Sequence, residues 1–181
     1  MALVVVERAV DGGGDGRAMR ERHEAVAFCF QTYRVRRLKT MRSADKRHWI
    51  CFYEAPDAEA VRITQRAADL PVSHIWTALP LMDDAPDMQP GYSLAVAQRA
   101  LPAADITVEH VRYLLTDPKG CNQRLRLRQV GAYLALDCSR MICAFHAPDL
   151  EAVRVSSRES GVPYERIWSG DAFHAVPDSA P

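Results

Sequence analysis

The chain has 181 residues, 48% hydrophobic and 25% charged, the composition of an ordinary globular protein able to bury a core. Lys plus Arg (23) balances Asp plus Glu (23), so no net charge draws the chain toward nucleic acid or an anionic membrane. No apolar run approaches the roughly 18 residues of a membrane span, and five cysteines without a CxxC pair read as reduced thiols of a cytoplasmic protein.

Residues 2–10 read as a β-branched strand, broken by the glycine-rich stretch 11–16. That stretch fits neither GxxxxGK[ST] nor GxGxxG, so a turn is expected and no nucleotide cofactor. Residues 17–33 place Met19, Val26 and Phe30 at helical spacing and predict one helix. Residues 35–42 and 48–55 predict a hairpin turning at 43–46. Pro56 and Asp57 open a second helix with Asp57 as N-cap, running to about Asp69 before Pro71 ends it. Residues 73–79 give a last strand. Residues 82–92, rich in Asp, Pro and Gly, read as a linker. Residues 94–101 then restart the order with a strand, and 107–115 with a helix that Pro118 and Gly120 shorten. Two basic stretches, 34–39 and 124–128, read as strands. Neither carries the aromatics with which related folds stack RNA bases, so nucleic acid is not an expected partner.

The chain repeats itself. Residues 50–76 over 142–168 share Ile, Cys, Ala-Pro-Asp, Glu-Ala-Val-Arg and Ile-Trp at a constant offset of 92, and residues 3–10 match 94–101. The expected architecture is α+β: two tandem ferredoxin-like βαββαβ units over residues 1–81 and 93–175, with a flexible tail at 176–181. Each unit covers one face of its sheet with helices. The bare faces are expected to pack together as a pseudo-dimeric α/β barrel, with a ligand crevice at the seam. The protein would then be a monomer with an internal pseudo-dimer, further homodimerisation being left open.

Several motifs resemble a bacterial domain-of-unknown-function family of small ferredoxin-like proteins that includes a nickel-binding, nickel-responsive member. They are Glu7–Arg8, His23, Cys51-x-Tyr53–Glu54–Ala55–Pro56, Glu59–Ala60–Val61 and the turn at Pro71. The second copy resembles it more loosely, with Gln98–Arg99, His110 and Phe145–His146. The resemblance implies a ferredoxin-like fold and a site for nickel or a similar divalent ion. His23 with Glu7, Glu54 and His110 are its candidate ligands.

Read as residues, His23 and His110 each sit in the first helix of a copy, and imidazole suits nickel, zinc or copper. Glu7 is a carboxylate in an apolar strand. Glu54 becomes His146 at the same strand end. Tyr53, Trp76, Gln98, His146 and Trp168 are candidate pocket walls. The alternative function is a cofactor-independent enzyme, of monooxygenase, isomerase or cyclase type. It would act on a small organic substrate in the inter-sheet cavity, with Glu7 or His146 as acid or base.

Overall fold

The computed structural model describes residues 1–83, 87–102 and 106–174. Part of the expected linker and the expected tail lie outside these residues. The chain is α+β, and its described residues divide into two units: Met1–Thr77 with Asp171–His174, and Ala78–Gly170. Among the described residues no helix is long and apolar enough to cross a membrane.

The first unit contains β1 (Ala2–Ala9), α1 (Gly16–Ala25), α2 (Ala27–Thr32), β2 (Arg36–Ser43), β3 (His48–Ala55), α3 (Ala58–Ala67) and the start of β4 (His74–Asp83). β3 is central and runs antiparallel to both β1 and β2. The β1–β3 register, Val4 opposite Tyr53 and Glu7 opposite Ile50, sorts the side chains between two faces. Val4, Val6, Cys51, Tyr53 and Ala55 form a core with Phe30 and with Ala60 and Val61 of α3. Leu3, Val5, Glu7, Ile50, Phe52 and Glu54 share the other face. α3 starts where the sequence places it: the Asp57 carboxylate accepts the Ala60 N–H at 2.8 Å, a cap worth about 1 kcal/mol.

The second unit contains β5 (Ser93–Ala100), α4 (Val108–Leu115), α5 (Cys121–Arg124), β6 (Arg128–Ala135), β7 (Arg140–Ala147), α6 (Leu150–Ser160) and β8 (Arg166–His174) as far as Gly170. Its strands lie in the order β4 end, β6, β7, β5, β8, every neighbour antiparallel. Asp149 caps α6 through the Ala152 N–H at 2.7 Å, as Asp57 caps α3.

The backbone carries the sequence offset into fine detail. Arg34, Lys46 and Asp69 take positive φ, and so do Arg126, Cys138 and Gly161, each 92 positions later. The ladder slips between Arg37 and Lys39 in β2, and between Gln129 and Gly131 in β6. These bulges fall at the same offset.

Two expectations are corrected. Residues 17–33 form two helices, because Val26 leaves helical geometry at φ −120° and ψ 24°. The break lets Phe30 turn in toward the core while Phe28 stays exposed. Of the basic stretch 124–128 only Arg128 lies in a strand, as the first residue of β6. Arg124 ends α5, Arg126 is left-handed, and Leu127 is buried with its N–H on Asn122 O at 2.8 Å. The alternating Arg and Leu come from a turn that inserts Leu125 and Leu127 into the core. The glycine run 11–16 is a turn with a packing demand: a Cβ on Gly14 would stand 3.0 Å from the Trp49 indole.

Candidate functional site

Arg8 and Tyr53 point to the helix-covered face of the first unit, and α1 brings His23 down onto them. His23 Nδ1 lies 2.8 Å from the Met19 carbonyl, one turn back, and Nε2 lies 3.1 Å from the Tyr53 hydroxyl. A carbonyl only accepts, so Nδ1 carries the proton, and the Tyr53 hydroxyl donates to the Nε2 lone pair. The Phe30 ring packs beside the imidazole, 5.1 Å between centroids. Burial lowers the His23 pKa to about 4, with the charges of Arg37 and Arg8 adding to the effect against the Met19 hydrogen bond. The ring is therefore neutral and fixed in one tautomer at physiological pH. Burial also pushes Tyr53 up to about 12, so its hydroxyl stays protonated.

Arg8, 2% exposed, holds this corner together. It donates to the Pro71 carbonyl, to Gln65 Oε1 and to the Tyr53 oxygen at 3.5 Å. The loop after α3 is thereby tied to β1. Arg99 repeats the arrangement in the second unit. It donates to the Val162 and Pro163 carbonyls at 3.0 and 3.1 Å and to Ser157 Oγ at 3.1 Å.

Within the first unit, Glu7 and Glu54 do not join His23. Glu7 and Glu54 project from the opposite face of the β1–β3 pair. Glu7, 2% exposed, accepts the Trp76 indole N–H at 2.8 Å, and Glu54 pairs with Arg36 at 2.7 Å. Strand alternation forces this separation: Glu7 and Arg8 are adjacent, so they face opposite ways. His110 is exposed near the start of α4. Among the described residues no group of three or more His, Cys, Asp or Glu is placed to hold a metal ion.

Of the expected pocket walls, Tyr53 is fully buried beside His23. Trp76 sits on Glu7. Trp168 donates to Gln98 Oε1 at 2.9 Å, and His146 is 8% exposed on the same face of β7 and β5 as Gln98.

The sequence reading missed a cavity of about 120 Å³ inside the second unit. Val111 and Leu115 of α4, Met141, Cys143 and Phe145 of β7, and Arg99 of β5 line it. His110 is at this cavity, far in character from a metal ligand set. The available signals were the shortened first helix ahead of Pro118 and the loss of a hydroxyl where Tyr53 becomes Phe145.

No protein of curated function matches the chain. Similar solved structures include a mutant chlorite dismutase from Candidatus Nitrospira defluvii in complex with cyanide (10% identity, 95% of this chain and 90% of that one, TM-score 0.47). A heme-binding protein from Thermus thermophilus matches at 8% identity over 95% and 90%, TM-score 0.44. An anthrone oxidase-like protein matches at 10% over 96% and 93%, TM-score 0.42. Likeness this distant says nothing of activity. Residues 5–77, which carry Glu7, His23, Tyr53 and Glu54, match the family described as nickel responsive protein SCO4226-like, and it is this family that the first unit resembles.

Proposed function

We propose that the protein binds a borderline divalent metal ion, nickel before others, with His23 of the first unit as its nitrogen donor. One observation carries the reading: the imidazole is neutral, locked in one tautomer, and presents Nε2 as an acceptor. A transition ion bonds the lone pair of a neutral imidazole. Metal-binding histidines commonly hold their second ring N–H on a carbonyl or carboxylate, as His23 does with Met19. The match of residues 5–77 to a family described as nickel responsive supports nickel as the ion to try first.

The four-residue set of His23, Glu7, Glu54 and His110 does not fit one centre, since Glu7 and Glu54 face away from His23. A site on His23 therefore draws its other donors from water, which makes it weak and quickly exchanging. Tyr53 supplies no anionic oxygen and competes for Nε2, while Arg8 and Arg37 oppose a second positive charge. The catalytic alternative has no comparable observation behind it. We also read the two units as products of a tandem duplication, on the strength of the shared offset of 92 in sequence, bulges and left-handed residues.

The test is calorimetric titration of nickel into the full chain, with the His23 ring resonances followed by NMR. Saturable binding at one equivalent should shift the His23 signals and vanish in His23→Ala. Binding that survives His23→Ala removes His23 from the account.

A further inference from the structure

We propose that the cavity of the second unit is a binding site for a small organic carboxylate with a compact apolar body. The site is independent of His23. The cavity lies between α4, α6 and the sheet face of β5 and β7, and its walls are mainly apolar. Its volume of about 120 Å³ approaches that of the roughly 150 Å³ apolar cavities that accept benzene. A phenyl ring or a chain of about five carbons is the matching body by that comparison. Phosphate, with its strongly hydrated oxygens, is a poor match to these walls.

Arg99 gives the site its polarity. It is 4% exposed, lines the cavity, and bonds only neutral oxygens: Val162 O, Pro163 O and Ser157 Oγ. Among the described residues its hydrogen bonds go to no carboxylate, although Asp117 lines the same cavity. A guanidinium has five N–H donors. Three are used here, and the buried Nε–H has no partner. A buried, unpaired charge is unfavourable, and an anion beside it offsets that cost.

The first unit shows why the space exists. Around Arg8 the corresponding volume holds the Tyr53 phenol and the Gln65 amide, and both bond the guanidinium. At the same offset of 92 the second unit has Phe145 and Ser157. Phe145 has lost the hydroxyl, and Ser157 is shorter by two heavy atoms along the chain. Arg8 keeps a buried Nε–H without a partner as Arg99 does, so the units differ in the bulk beside the guanidinium, and the room left by Phe145 and Ser157 is what a ligand would fill. Lys119, His110 and Asp117 are also at the cavity; Lys119 donates to the Glu159 carbonyl at 2.9 Å, and the Asp117 carboxylate accepts the Gln123 N–H at 3.1 Å.

The experiment titrates benzoate and hexanoate into the full-length protein by heteronuclear NMR, with benzyl alcohol and inorganic phosphate as comparisons. Benzoate should bind saturably and shift the amides of Arg99, Val111 and Phe145, with benzyl alcohol weaker by about tenfold or more. Phe145→Tyr puts back the phenol of the first unit and should weaken benzoate by about tenfold or more while the chain stays folded. Arg99→Met should act likewise. If it fails to fold, Phe145→Tyr decides. No saturable binding of either acid, equal binding of benzyl alcohol, phosphate binding as tight as benzoate, or unchanged affinity in Phe145→Tyr each overturns the proposal. Nickel binding at His23 is read separately on the same samples, so failure of one site is not failure of the other.

Discussion

Trp76 donates its indole N–H to Glu7 Oε1 at 2.8 Å, one of the contacts that hold this buried carboxylate in the first unit. The second unit makes the same bond with an uncharged acceptor, Trp168 to Gln98 at 2.9 Å. For the indole itself, a carboxylate oxygen and an amide oxygen serve equally as acceptor.

Glu7→Gln keeps an acceptor for the indole and should therefore destabilise less than Glu7→Leu. Glu7→Leu orphans a buried indole N–H and should destabilise by about 1–3 kcal/mol. Urea denaturation of the two variants measures the difference. Nickel affinity should be unchanged in Glu7→Gln, since Glu7 and His23 face opposite sides of the sheet.

Stability should fall on acidification through the His23 window. The folded pKa, about 4, lies below the unfolded value near 6.5, so between those limits the unfolded chain binds the extra proton. The contribution is complete above pH 6.5 and is lost progressively down to about pH 4. Because His23 is partly exposed, water screens part of the effect and a loss on the order of 2 kcal/mol is expected. His23→Gln should flatten that part of the stability curve. An equally steep fall in the variant would assign the slope to other groups.

Arg37 is exposed, and its charge is one of those that depress the His23 pKa. Arg37→Gln should raise that pKa in an NMR titration and tighten nickel binding, since repulsion of a proton and of a dication at Nε2 have the same origin. Added salt should shrink the difference between variant and wild type. A tightened nickel site with no change in the His23 titration would break the link between the two.

Tyr53→Phe removes the hydroxyl that occupies Nε2, and Phe145 shows that the fold accepts phenylalanine there. The cost should be about 1 kcal/mol for the lost hydrogen bonds. Nickel should bind more tightly, because nothing then competes for the lone pair. Weaker binding in calorimetry would mean that the phenol oxygen is itself a ligand.

The sequence by itself determined the local elements. Asp57 and Asp149 mark helix starts because a short carboxylate before a helical stretch satisfies a free N–H of the first turn, which is a local event. Alternation likewise sorted Glu7 from Arg8, and Tyr53 from Glu54, without any knowledge of neighbours. The offset of 92, plain in the sequence, reappears in bulges and left-handed residues, because equal side-chain patterns impose equal local geometry.

Only the tertiary structure decided which sheet face the first helix covers. Both faces of β1 and β3 are rich in apolar residues, so the pattern has two sides and no label for either. That choice set His23 against Tyr53 and Arg8 and left Glu7 and Glu54 on the far side, undoing a ligand set that residue types alone made attractive. It also decided the cavity beside Arg99. Packing around a buried charge depends on volumes contributed by segments up to 64 residues apart, and no local pattern records a space that they fail to fill.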